Sequence, residues 1–247
     1  MAQHIEFARK GPFAHITLNR PRAGNPINDP MLTRLTTIMQ GLAAEEDLRG
    51  VVLRGKGADF CVGRERPPGK GKKKDKGSGP PSAYALHGRV MARILAVYKA
   101  FRDCPAPVIS VVQGRAVGFG CALVGGSDIA MATENARFSL PEMAHGVAPT
   151  LAMSALNRVS PKGLAQMVYS MAEVDAPTAL AMGLVGQVAP AAELDDQVQE
   201  LLARLANYDT PQVHAVKRYL AHGLNLHSEA ASDLAGYTLA TLNTRPR

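Results

Sequence analysis

Apolar residues in the first 190 positions fall into short runs divided by turn-forming stretches, a pattern that predicts alternating strands and helices. The segments HIEFA and AHITL, beginning at residues 4 and 14, alternate across two faces with RKGPF between them and predict a hairpin. After NRPRAGNPIND, the residues Leu32, Leu35, Ile38, Met39 and Leu42 recur at helical spacing, with Asp29 as the expected cap and Pro30 in the first turn. GVVLRG, from residue 50, reads as a short buried strand. From Ala83 to Arg102, Leu86, Val90, Ile94, Val97 and Phe101 predict a second helix, which Pro105 and Pro107 end.

VISVVQG, from Val108, is then a strand that runs into the glycine-rich stretch GRAVGFGCAL. A short helix and two strand-like runs follow, DIAMA and ARFSL. Asp175, Ala176 and Pro177 start a helix that ends near Gly183, ahead of the strand LVGQVA. Helical patterns cover Ala192 to Asn207 and Pro211 to Gly223. The chain is therefore of the α/β class, with helices dominating its last fifth and no internal repeat or long linker.

Composition narrows the setting. A chain of 247 residues, 46% of them hydrophobic, can bury a large core in one domain or two modest ones. Its apolar runs are too short for a membrane span, and MAQHIEFARKG lacks the features of a secretory signal. Cys61, Cys104 and Cys121 are odd in number and have no metal-ligand spacing, so a reducing, cytoplasmic setting without a bound metal is expected.

The net charge of +7 belongs to one place. RERPPGKGKKKDK, from Arg64, sets seven basic residues against two acidic ones, a local +5 that leaves +2 for everything else. A nucleic-acid reader more often spreads its charge along a helix or a face, so this Pro/Gly-rich segment reads as a surface loop.

The glycines Gly114, Gly118 and Gly120 do not complete a dinucleotide fingerprint, because Leu123 stands where a third small residue is needed. No GxxxxGK[ST] phosphate loop occurs either. A strand, a glycine turn and a helix in succession still leave unpaired N–H groups at the helix start, and these suit an anion. Close helix packing accounts for the glycines equally well.

Three separated segments resemble, in order and spacing, the signature regions of the crotonase family, also called the enoyl-CoA hydratase/isomerase family. They are ITLNRPRAGNPIN (from Ile16), GADFCVGRE (from Gly57) and GRAVGFGCALVGGSDIAMATENARFSLPE (from Gly114), with VDAPTALAMGLVGQVAP similar to a later one. The resemblance implies a crotonase-like spiral of β-β-α units over residues 1–190 and a helical carboxy-terminal trimerisation region over 191–247. Homotrimers or hexamers and an acyl-CoA thioester substrate are implied too, with coenzyme A carried by the substrate and no separate cofactor.

Position by position, the resemblance implies an oxyanion hole made by the backbone N–H groups of Arg64 and Phe119, with Gly63, Gly118 and Gly120 shaping it and Arg22 near the nucleotide. Both Arg and Phe are unusual there, but main-chain donors survive a change of side chain. Of the two glutamates that hydratases of the family carry, this chain keeps Glu142 and has Ala122 in place of the other. Glu142 follows Pro141 at the end of a strand, where burial can raise a carboxyl pKa. One base is sufficient to shift a double bond, and EMAHGVAP resembles the single-glutamate Δ3,Δ2-enoyl-CoA isomerases. An isomerase-like activity is expected first, and a hydratase or another activity of the family second.

Other residues carry weaker expectations. His145 lies near Glu142, and His87 is on a helix that borders the acyl cavity in the family, though ordinary packing accounts for both. Cys121 reads as a small buried thiol and Asp128 as structural. Lys70, Lys72, Lys73 and Lys74 can attract coenzyme A phosphates at long range. RNA binding through KGKKKDK and acyl-CoA binding without turnover are the readings of a different class, the former lacking aromatic residues for base stacking.

Overall fold

The computed structural model of the chain describes residues 4–65 and 82–245. Strands β1 (Ile5–Lys10) and β2 (Phe13–Leu18) form the expected antiparallel hairpin around a two-residue loop, with Gly11 at φ +56°. Helix α1 (Asp29–Leu42) buries the five apolar residues of its predicted stripe and Met31. Its cap is Asn28, not Asp29. Extended backbone at Asn28 lets its side-chain oxygen accept from the Met31 amide at 3.0 Å. The Asp29 carboxylate faces outward instead and pairs with Arg64 and Arg93.

After β3 (Gly50–Gly55), the helix expected from Ala83 consists of α2 (Ala83–Leu86), a wider π turn over His87–Met91, and α3 (Ala92–Asp103). Its apolar stripe is buried from Ile94 onward, whereas Leu86 and Val90 are exposed. Then come β4 (Val108–Val112), β5 (Arg115–Val117), α4 (Phe119–Gly126), β6 (Ile129–Thr133) and β7 (Arg137–Ser139). The remainder comprises α5 (Thr150–Ala155), α6 (Pro161–Ser170), β8 (Val174–Asp175), α7 (Ala176–Ala181), β9 (Gln187–Ala189), α8 (Leu194–Ala206), α9 (Thr210–His222) and α10 (Ser228–Asn243). The hydrophobic pattern did not predict β5, β8, α5, α6 or α10.

Two sheets organise these elements. A six-stranded sheet has the order β1-β2-β3-β4-β6-β9, parallel beyond the hairpin, and a smaller one has the order β5-β7-β8. Each turn of the chain puts one strand in the large sheet and the next in the small one: β4 then β5, β6 then β7. The segment after β3 follows the same rule, because Cys61 bridges to Ala116 of β5 and Arg64 to Ile27. The chain thus winds as a spiral of β-β-α units that closes with helices α8 to α10.

All five residues of β4 are buried, as expected of a parallel strand covered on both faces. Phe60, Phe101 and Phe138 anchor the larger core, each contributing about 1.5–3 kcal/mol by burial. A second cluster places Leu194, Val198 and Leu202 of α8 over Val52, Ile109, Val111 and Met131 of the sheet. Helix α9 is fastened by a buried ion pair: Lys217 Nζ donates to Asp128 Oδ2 at 2.5 Å and to the Phe101 carbonyl at 2.9 Å. Among the described residues, no helix is long and apolar enough to cross a membrane.

Candidate active site

The small sheet builds the site. Parallel pairing of Val117 with Ser139 brings the ends of β5 and β7 side by side, and the Gly118 amide donates to the Ser139 carbonyl at 2.8 Å. Pro141 then starts a 3-10 turn, Pro141–His145, which carries Glu142 back over Gly118. Gly118 has φ +54°, and a Cβ there would stand 2.7 Å from Glu142 Oε1. At Gly114, which shares the positive φ at +57°, and at Gly120 the backbone itself leaves no room for a side chain. A Cβ at either would collide with a backbone carbonyl, that of Ala58 or of Cys61. Those two therefore serve packing, and Gly118 also makes room for the carboxylate.

The two amides singled out in the sequence have no acceptor among the described residues, and peptide geometry says where they point. In a trans peptide the C=O and the following N–H lie on opposite sides of the chain. The Gly63 carbonyl accepts from the Ile27 amide at 2.8 Å, so the Arg64 N–H is turned away from Ile27. The Gly118 carbonyl accepts from Ala122 at 3.0 Å inside α4, so the Phe119 N–H points back out of the helix start. Glu65 fixes the first of these peptides, since its amide donates to the Ile27 carbonyl and its carboxylate takes both arms of Arg20 at 2.7 and 3.0 Å.

Gly63, Arg64, Gly118, Phe119 and Glu142 all line one cavity of about 450 Å³, whose walls are otherwise mostly apolar: Val62, Ile94, Val117, Leu151 and Ala152. Glu142 is its only carboxylate among the described residues. Oε2 of Glu142 is buried with no hydrogen-bond partner. Burial pushes this carboxyl above its usual range, against a smaller opposite pull from its own backbone amide and from His145. A smaller apolar groove of about 350 Å³ lies between α9 and the sheet near Tyr208 and Val216, and its one carboxylate among the described residues, Asp128, is already paired with Lys217.

His145 lines the cavity but is exposed, and His87 lies outside it. Arg22 stands exposed on the 3-10 turn Pro21–Ala23, also outside the lining, and Gly120 is held behind it against Cys61. Ala122 is fully buried, and Cys121 is buried with its thiol pushed up by that burial. Asp128 is taken up by Lys217. Lys70, Lys72, Lys73 and Lys74 lie outside the described residues. Sequence reasoning passed over Tyr98, which lines the cavity one helical turn after Ile94. The i, i+4 spacing of these two on the apolar face of α3 was the signal available.

The winding of two sheets into a spiral, closed by carboxy-terminal helices, is that of the crotonase fold. An enoyl-CoA hydratase structure from Mycobacterium smegmatis superposes with a TM-score of 0.88 at 30% identity, covering 99% of this chain and 93% of that one. The family model for enoyl-CoA hydratase/isomerase matches residues 9–241. The chain belongs to that family. Its relatives include a short-chain-enoyl-CoA hydratase of Clostridium acetobutylicum, 26% identical over 92% of this chain and 85% of the relative. Another is a 2,3-dehydroadipyl-CoA hydratase of Escherichia coli, 30% identical over 83% of this chain and 76% of the relative.

Proposed function

We propose that the protein is an acyl-CoA enzyme of the Δ3,Δ2-enoyl-CoA isomerase type, with Glu142 as its single acid–base group. The observation that carries this reading is one unpartnered, partly desolvated carboxylate facing the same cavity as two free amides. The Arg64 and Phe119 N–H groups hold the thioester oxygen as it gains negative charge, each worth roughly 3 to 4 kcal/mol in an oxyanion hole. Glu142 removes a proton from C2 of a 3-enoyl thioester. The electrons pass into the dienolate, and the same carboxyl returns the proton at C4, leaving the 2-enoyl isomer. Coenzyme A enters with the substrate.

Hydration is the second reading, favoured by the names of the relatives. It asks for a group to activate water besides the one that protonates carbon, and the position of the second glutamate is the buried methyl of Ala122. Incubation with 3-hexenoyl-CoA and with crotonyl-CoA, resolved by chromatography with mass detection, separates the two. Conversion of the first with little hydration of the second supports isomerisation. Rapid hydration of crotonyl-CoA with 3-hexenoyl-CoA untouched rejects it. Glu142→Gln tests the assignment of the base: activity lost with thioester affinity kept supports an enzyme over a binder.

We also propose that copies associate through residues 191–247 as trimers or pairs of trimers. Helix α10 supports this, since it buries none of its residues within one chain and leaves Tyr237 and Leu239 exposed. A monomer in sedimentation equilibrium would reject it.

A further inference from the structure

Tyr98 sets a polar group into the otherwise apolar wall of the cavity. The residue is only 2% exposed, yet it borders the same space as Glu142, Gly118 and Phe119. Its ring is held on one face by Phe119, with centroids 5.9 Å apart and planes 23° apart, and α3 fixes its backbone. Among the described residues no hydrogen bond reaches its hydroxyl, and since that atom is not among the side-chain groups sealed from the surface, it opens on the cavity without a protein partner. A buried tyrosine O–H usually finds one, because an unmet donor is costly in an apolar setting. Val62, Ile94, Val117, Leu151 and Ala152 around the cavity have no side-chain acceptor to offer, and Glu142 and His145, which do, make no hydrogen bond to the hydroxyl.

The phenol is also in the form that donates. Burial is the main cause that raises its pKa well above the ordinary tyrosine value, so it keeps its proton at neutral pH. Tyr98 shares the cavity wall with Glu142 and stacks on Phe119, which sets it beside the acyl carbons nearest the thioester in the proposed reading. A plain hydrocarbon chain there would leave the donor unmet, whereas an oxygen on the chain would accept from it.

We infer that Tyr98 is a specificity-determining residue whose hydroxyl donates to an oxygen carried on the acyl chain, so that the site favours oxygen-substituted acyl thioesters over hydrocarbon ones. The inference rests on the acyl-CoA reading of the cavity, but not on the choice between isomerisation and hydration. The discriminating ligand pair is acetoacetyl-CoA and butyryl-CoA, which have equal chain length and differ by a carbonyl oxygen at C3.

Isothermal titration of both into the wild-type protein and into Tyr98→Phe tests it. The wild type is expected to bind acetoacetyl-CoA about three- to tenfold more tightly than butyryl-CoA, the span of one net hydrogen bond. Tyr98→Phe should lose most of that preference and bind butyryl-CoA within about twofold of wild type. Equal wild-type affinity for the two thioesters overturns the inference without recourse to a variant, as does an unchanged preference in folded Tyr98→Phe. If neither thioester binds the folded wild-type protein, the acyl-CoA reading itself falls and takes this inference with it.

Discussion

Oε1 of Glu142 occupies the space directly beside the Cα of Gly118, so near that a methyl group added to the glycine would come within 2.7 Å. The clash is with the free end of a side chain, which can swing aside. Gly118→Ala is therefore expected to fold, less stable by about 1–3 kcal/mol for the alanine held at φ +54°. Turnover should suffer more, by about 100-fold or greater, because the carboxylate is displaced from its working position. Thermal unfolding beside a 3-enoyl-CoA assay checks this. Wild-type turnover in the folded variant would remove Glu142 from the proposed chemistry.

A second prediction concerns pH. Burial raises the folded-state pKa of Glu142, and a base must be deprotonated to act, so the acid limb of kcat/KM should lie above the usual carboxylate range. For stability the sign runs the other way. The folded chain holds this proton more tightly than the unfolded one, so stability is lost as pH rises from the unfolded pKa through the raised folded value. Glu142→Gln lacks that loss. Its Tm, measured against wild type, should gain ground from acid to neutral pH while turnover falls about 10²–10⁴-fold. A Tm difference that is flat with pH would contradict the shift.

The Phe119 amide can be removed with little else. Position 119 opens α4, where proline is tolerated because its missing N–H has no helical partner. Phe119→Pro is expected to lower kcat by about 10²–10³, the effect of deleting one oxyanion donor. Phe119→Ala, which loses the ring and keeps the amide, should lose far less. Equal losses in the two variants would assign the effect to the ring and its stacking on Tyr98.

Lys217→Met leaves Asp128 charged inside the protein without its counter-ion. The expected cost is about 3–5 kcal/mol, read as a fall in denaturant midpoint. Adding Asp128→Asn, which still offers an oxygen to the Val108 amide, should recover part of it. No recovery would mean that the packing of α9, and not the charge, dominates.

Where local chemistry decided the outcome, the sequence was legible. The β1–β2 hairpin, the stripe of α1 and the glycine turn before α4 each follow from spacing that no distant contact overrides. The cap of α1 was misassigned by one residue, because Asn28 and Asp29 are equally good acceptors and only the extended backbone at 28 selects between them. Helix α10 has no buried face in a single chain, so no stripe announced it. Strands β5 and β8 have three and two residues, too few for alternation to register. At the site, Gly63, Gly118 and Glu142 were found through motif resemblance, and the direction of each amide needed the hydrogen bonds of its neighbours. The lysine of the Lys217–Asp128 pair, 89 positions from its partner, carried no local mark.

The walls of the cavity come from four stretches of chain, around residues 63, 96, 118 and 147, and so belong to successive turns of the winding. An incompletely wound molecule has no such pocket to offer. Occupancy by a thioester would then favour the fully coiled state alone, and melting would move upward with ligand concentration by mass action.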